Sequence, residues 1–140
     1  MQYAMKAISL WEPWASLVAC GAKQYETRSW STGYRGLIAI HAAKRWQGEQ
    51  KRARDVFMRN FPELVDVLAV PPLGCIVAAC ELVDVIPTDV VRSSLTTKER
   101  LFGDYSPGRY AWELKVIRTP PEPIPYKGAQ GIWLWKYEKD

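Results

Sequence analysis

"CGAKQYETRSW", residues 20–30, sets Lys23, Glu26 and Arg28 within six residues, just after a glycine and just before Trp30. Whether this stretch is a strand, and which way it faces, decides how the rest of the chain is read. If Gln24 opens a strand, Gln24, Glu26 and Arg28 share one face and Tyr25, Thr27 and Ser29 the other, because strand side chains alternate. Lys23 sits at the corner before it and can lean toward the first group. On a solvated surface such pairs are worth well under ~1 kcal/mol each. Facing a concave, partly dry pocket, the same groups hold one another charged and can grip a phosphate, a carboxylate or a base edge. Trp11, Trp14 and Trp30 bracket the segment and favour the pocket, although seven tryptophans can also simply build a core.

Working outward, "MKAISLW" alternates apolar and polar residues and predicts a strand over Tyr3 to Leu10. "EPWASLVACG" predicts a short helix with Pro13 at its first position, closed by Gly21 in a left-handed cap. After the strand of residues 23–30, "STGYRG" is a turn, and "LIAIHAA" a third strand so apolar that both faces should be covered. Residues Lys44 to Val70 predict one or two helices broken at Pro62. "GCIVAACELVDVIP" is a long central strand, and Thr96 with Glu99 forms a capping box for a short helix. "RYAWELKVIR" is a fifth strand. "TPPEPIPYKGAQ", with four prolines, is an extended connection, and "GIWLWKYE" is the last strand. About six strands joined by turns rather than regular crossover helices predict a mainly β, α+β fold. It should be a small barrel with helices inserted after the first and third strands.

The chain of 140 residues is the size of one domain, 1–140. No apolar run reaches the ~18 residues of a membrane span, and no signal peptide is evident. The odd cysteines, Cys20, Cys75 and Cys80, read as buried free thiols in a reducing, cytoplasmic compartment. The net charge of +4 is uneven: residues 1–59 carry 10 Lys/Arg against 4 acids, and residues 60–140 carry 9 against 11. The basic first half is either an ordinary solvated helix face, with Lys51, Arg52 and Arg54, or the footprint of an anionic partner such as nucleic acid.

No dinucleotide-binding glycine motif and no Walker-type loop is present. A structural zinc site is not indicated, because the cysteine spacing is wrong and His41 is the single histidine. A Ser-His-Asp or Cys-His arrangement would also have to use His41, and no nucleophile elbow accompanies it. No cofactor or metal is expected.

The pieces "ISLWEPWASLVACGAKQYETRSW", "YRGLIAIHAAK", "GRYAWELKVI" and "GAQGIWLW", in this order, resemble the ASCH (activating signal cointegrator homology) domain. The marker Gly-x-Lys-x-x-[Glu/Thr]-x-Arg is met by Gly21, Lys23, Glu26 and Arg28. The resemblance covers nearly the whole chain. It implies a PUA-like six-stranded β-barrel with a cleft for RNA. One branch of the family hydrolyses N-acetylated cytidine with a lysine and a threonine nucleophile. Lys23 matches that lysine, but Glu26 stands in the nucleophile's place and Thr27 is one position off. Other members resemble metal-independent ribonucleases acting on single strands, and others resemble binding modules only.

Three chemistries follow for a partner that is single-stranded RNA, a nucleoside or a nucleotide. In the leading one, a metal-independent ribonuclease, Glu26 is general base on a ribose 2′-hydroxyl. Lys23, Arg28 and Lys44 stabilise charge at phosphorus, and His41 is the default acid. The alternative reading of His41 is a buried strand histidine bonded to backbone. In the second chemistry, an amidohydrolase of a modified pyrimidine, Glu26 activates water. In the third, a non-catalytic reader, tryptophans stack the base while Lys23 and Arg28 hold phosphate. Trp11, Trp14, Trp30 and Trp112 are the candidate stacking surfaces and Arg35 a further phosphate contact. Trp133 and Trp135 share a face and can be core, and Gln130 and Gly131 precede them at the edge of the cleft.

Overall fold

The computed structural model describes residues 1–138. The chain runs β1 (Gln2–Leu10), α1 (Trp14–Ala19), β2 (Tyr25–Arg28), β3 (Gly36–Ala42), α2 (Gly48–Asn60), a 3-10 turn (Pro62–Leu64) and α3 (Val65–Leu68). It continues through β4 (Cys75–Pro87), α4 (Thr88–Val91), α5 (Thr97–Phe102), β5 (Tyr110–Arg118), β6 (Ile124–Pro125) and β7 (Ile132–Glu138). The strands form one mixed sheet in the order β2-β5-β4-β3-β1-β7, with β6 alongside β4. The β1–β3 pair is parallel and every other pair is antiparallel. The sheet curls into a half-barrel, so the expected α+β barrel with helices after the first and third strands is what forms. The four-proline connection adds one unexpected element. Ile124 and Pro125 pair with Ile76 and Cys75, a two-residue edge strand that a proline tolerates because it need not donate to a ladder.

The hydrophobic pattern explains both layers. Alternation along β1 sends Ile8 and Leu10 to a core under α1, together with Val18, Ile38, Ile40, Leu82 and Trp112. It sends Ala7 to the opposite face, where Ala39, Ile76 and Trp135 form a second cluster. β3 is therefore covered on both sides, as its apolar run predicts. A third cluster, Leu17, Phe57, Leu64, Leu68 and Phe102, binds α1 to α2, α3 and α5.

Local signals held in part. Gly21 lies at φ +83, ending α1 as expected. Pro13 is not the first helical residue: it is the N-cap, after a cis peptide bond from Glu12. It has no side-chain acceptor to offer, so the fully buried Glu12 serves instead. Glu12 accepts from the Ser16 backbone N–H at 2.8 Å and from the Ser16 hydroxyl at 2.6 Å. The capping box at Thr96 is half formed. Thr96 accepts from the Glu99 N–H at 3.1 Å, but the Glu99 carboxylate turns away to accept from the Gln24 N–H at 2.7 Å. The β2 strand is only four residues long, not the eight expected, and Cys20 is exposed whereas Cys75 and Cys80 are buried.

Burial lifts the Glu12 carboxyl to about 7, against two opposing hydrogen bonds from Ser16. A carboxyl raised in the folded state gives stability that is complete below its ordinary range and lost as pH rises to about 7. Burial raises Glu99 too and acts in the same direction, whereas burial lowers His41, whose contribution is lost as pH falls. Urea unfolding of wild type and Glu12→Gln from pH 5 to pH 8 isolates one of these slopes. The variant is expected to gain about 3 kcal/mol relative to wild type across that window. A pH-independent difference would remove Glu12 as the cause. At Gly21 an added Cβ meets nothing within 4 Å, so Gly21→Ala carries only the backbone cost of a positive φ. Its expected loss, read by thermal unfolding, is about 1–2 kcal/mol.

Candidate functional site

The short strand β2 pairs with β5 so that Glu26 lies opposite Trp112 and Arg28 opposite Tyr110. Opposite residues share a face, so Glu26 looks to the inner side of the sheet, where Trp112 is fully buried. Tyr25 packs instead against Val91, Tyr105 and Ala111, and the Thr27 hydroxyl accepts from the Asp104 N–H at 3.2 Å. The period of two expected from the sequence is thus realised. Glu26 and Arg28 point one way, Tyr25 and Thr27 the other.

Glu26 is held between two cations. Lys23 Nζ is 3.6 Å from one carboxylate oxygen, and Arg28 Nε is 3.4 Å from the other. Lys23 is 1% exposed, and its ammonium also donates to the Tyr25 carbonyl. Its charge opposes the effect of burial at Glu99. An ammonium in so dry a place survives only when paired and bonded in this way. Arg28 reaches past Glu26, and its Nη2 donates to the Ser9 carbonyl at 2.7 Å. Its buried Nε has no hydrogen-bond acceptor, only the ion pair.

Beside this ladder opens a cavity of about 610 Å3. Trp11, Trp14 and Trp30 line it, with Glu26, Thr27, Arg28 and Ser29 of β2 and its continuation. Ser9 contributes from β1, and residues 101–104 and Arg109 come from the far side. The aromatic walls are fixed by packing. Trp14 donates its indole N–H to the Phe102 carbonyl at 2.8 Å and meets Phe57 edge-on. Trp30 meets Trp112 edge-to-face at 4.8 Å between ring centres, and Trp112 Nε1 donates to the Trp30 carbonyl at 3.2 Å. Trp11 is 46% exposed, with the Arg45 guanidinium 5.1 Å from its ring centre.

Of the residues singled out in the sequence, Glu26, Arg28, Trp11, Trp14 and Trp30 come together on this wall. Lys23 stands behind Glu26, and Trp112 behind Trp30, neither lining the cavity. Arg35 is elsewhere: it is exposed, pairs with Asp84 at 3.3 Å and bonds the Thr32 and Tyr34 carbonyls. Lys44 is exposed and lies over Gly74. His41 is buried outside the lining, its Nε2 2.7 Å from the Tyr126 carbonyl and its Nδ1 2.9 Å from the Ser9 hydroxyl. This is the alternative reading of that histidine, a strand residue bonded to backbone. Trp133 and Trp135 pack on the same side of the sheet as Ala7, and Gln130 and Gly131 do not line the cavity.

Sequence reasoning missed Ser9, Asp104 and Arg109. Arg109 donates to the Asp104 carbonyl at 3.1 Å and to the Thr27 carbonyl at 3.2 Å, which fixes it on the rim. Its signal was its place just before Tyr110, the residue that pairs with Arg28. Among the described residues there is no cluster of three or more metal-ligating side chains, and no helix is long and apolar enough to cross a membrane.

Comparison with known proteins places this geometry. Activating signal cointegrator 1 from Homo sapiens is 28% identical over 141 residues, a match covering 90% of this chain. The Mus musculus protein of that name is 27% identical over the same length. The chain spans 21% of the length of each of these relatives. A crystal structure of a mutant ASCH protein from Zymomonas mobilis superimposes with a TM-score of 0.50 at 16% identity, covering 86% of this chain and 75% of that one, a likeness of fold. The ASCH domain model matches residues 8–124, from the strand that bears Ser9 to the edge strand β6, and the chain belongs to the ASCH family.

Proposed function

We propose that the cavity binds an unstacked base of single-stranded RNA, or a modified nucleoside, and cleaves RNA without a metal. The observation that carries this reading is the wall itself. Trp11, Trp14 and Trp30 surround a space of about 610 Å3 whose remaining lining includes Arg28, Arg109 and Glu26. Aromatic faces take any base by stacking, and cations beside them take the phosphate. Glu26 has one neighbour, Arg28, on the cavity wall and another, Lys23, behind it, so it is braced for use as a base. It takes the 2′-hydroxyl proton as the 2′-oxygen attacks phosphorus and the 5′-oxygen leaves. Arg28 and Arg109 stabilise the charge that builds on the phosphoryl oxygens. His41 does not line the cavity and both its ring nitrogens are engaged, by the Ser9 hydroxyl and the Tyr126 carbonyl, so in this scheme the leaving oxygen takes its proton from water. Lys44 and Arg35 lie outside this scheme. The reaction needs RNA, because DNA lacks the attacking hydroxyl. The chain, taken as one domain over residues 1–140, would work in the cytoplasm, where its free thiols Cys20, Cys75 and Cys80 stay reduced.

Single-stranded and duplex RNA, each with and without EDTA, test the chemistry. Cleavage of single strands is expected to persist in EDTA and to fall 10²–10⁴-fold in Glu26→Gln, the usual worth of a general base. Loss of cleavage in EDTA, or an unaffected variant, counts against the assignment. If no cleavage occurs but short RNA quenches tryptophan fluorescence, the protein is a reader. Binding is tested separately. Trp11→Ala, on a half-exposed ring, is expected to leave thermal stability nearly unchanged and to weaken RNA binding by roughly 5- to 150-fold, the ~1–3 kcal/mol of one stacked base. Affinity should also fall with salt, with a slope near −0.7 per phosphate held.

A further inference from the structure

The four-proline connection between β5 and β6 builds a second hollow, on the face of the sheet opposite the tryptophan cavity. Along one side of β4, β5 pairs as far as Arg118 opposite Ala79, and β6 takes over with Ile124 opposite Ile76. Between them Val77 and Ala78 have no ladder partner on that side. Residues 119–123 leave the ladder here, and Pro120, Pro121 and Pro123 have no N–H with which to close it. The gap stays open as a cavity of about 320 Å3, near the lower end of the ~300–1,000 Å3 usual for small-molecule sites.

The hollow is deep because its floor is small. Ala79 stands opposite Ala39, and Ala39 opposite Ala7, so no side chain larger than a methyl rises from this row of β4, β3 and β1. Trp135 and Tyr137 of β7 line the hollow from one direction, and Pro120, Pro121 and Ile124 from the other. The Trp135 and Tyr137 rings stack with centres 4.3 Å apart, and Tyr3 stacks on Tyr137 at 5.7 Å, so that side is a continuous aromatic wall. Among the residues lining the hollow Arg118 alone is charged. Its guanidinium is exposed and has no ion pair or side-chain hydrogen bond among the described residues. The nearby acid of β4, Glu81, stands opposite Lys115, and Glu122 of the connection does not line the hollow.

We propose that this hollow binds a small planar aromatic carboxylate, its ring against Trp135 and Tyr137 and its carboxylate on Arg118. Methyl groups and ring faces take a flat apolar body out of water. The planar fork of a guanidinium matches the two oxygens of one carboxylate. A doubly charged phosphate ester finds no second cation here, so the chemistry selects a monoanion. The site is independent of the RNA reading, because its lining shares no residue with the tryptophan cavity.

Titration of the full chain with 2-naphthoate and with its neutral isostere 2-naphthamide tests the proposal, with calorimetry for affinity and amide 1H–15N spectra for location. Shifts are expected at Ile76, Ala79, Arg118 and Trp135. The amide should bind about fivefold more weakly than the acid, the upper end of what an exposed ion pair supplies. Arg118→Gln should erase that difference while still binding the amide. Ala79→Leu, at a half-buried position on the floor, should fill the hollow and abolish binding of both. Trp11→Ala should change neither. No binding, shifts confined to the tryptophan cavity, equal wild-type affinity for acid and amide, or full binding by Ala79→Leu overturns the proposal. The wild-type spectra and the acid–amide comparison decide even if a variant fails to fold. RNA titrated into the naphthoate-saturated protein keeps the two readings apart: loss of naphthoate binding leaves the RNA site untouched, and loss of RNA binding leaves this one.

Discussion

One guanidinium joins the β2 edge of the curled sheet to β1, four strands away along it. Arg28, the last residue of β2, is paired with Glu26 on its own strand and bonded to the Ser9 carbonyl of β1, although β2 and β1 share no ladder. The strand that bears it is four residues long and has β5 as its ladder partner. An edge so short holds its place poorly through backbone bonds alone. The side-chain bridge across the concave face sets how far the edge stands from β1, and so sets the width of the cavity between them.

Lys23 makes that bridge rigid at a cost. Placing an ammonium at 1% exposure is expensive unless every partner is in position. The Tyr25 carbonyl and Glu26 are those partners, and Glu99 adds its field from α5. The ion pairs thus contribute more to defining one arrangement of Glu26 than to net stability. α5 enters the same arrangement through the Glu99 bond to the start of β2. The charged groups of the cavity wall are therefore tied to β1 and α5 through Arg28 and Glu99, while the tryptophans beside them are held by close packing.

How much of this could be read from the residues depends on the range of the interaction. The alternation of residues 24–29 predicted the two faces of β2 correctly, because alternation is a property of the strand itself. Gly21 was legible for the same reason, since a positive φ is a local demand. Pro13 was misplaced because the group that caps α1 is the buried Glu12, and burial is a tertiary fact. The Thr96 and Glu99 box was half right: Glu99 found a stronger use 75 residues away. The ASCH resemblance anticipated the curled sheet and the ladder, but it assigned nothing to Ser9, Asp104 or Arg109. Their approach to the cavity depends on register between strands and on a loop, which no spacing along the chain expresses. Arg35 and Lys44 show the converse, cations near the motif in sequence that the turn and α2's approach direct elsewhere.

The pairing of the first strand with the last has a temporal consequence. Gln2 to Ile8 align with Glu138 to Ile132, so this ladder closes a loop of most of the chain, the slowest kind of contact to form. During synthesis β1 can dock on β3 as soon as residue 42 emerges, but Trp133 reaches the Ser9 hydroxyl only after residues 43–132 have also been made. A nascent chain would therefore carry the tryptophan-lined face of the sheet in place while the opposite face, with the Ser9 hydroxyl, stays uncovered until β7 arrives.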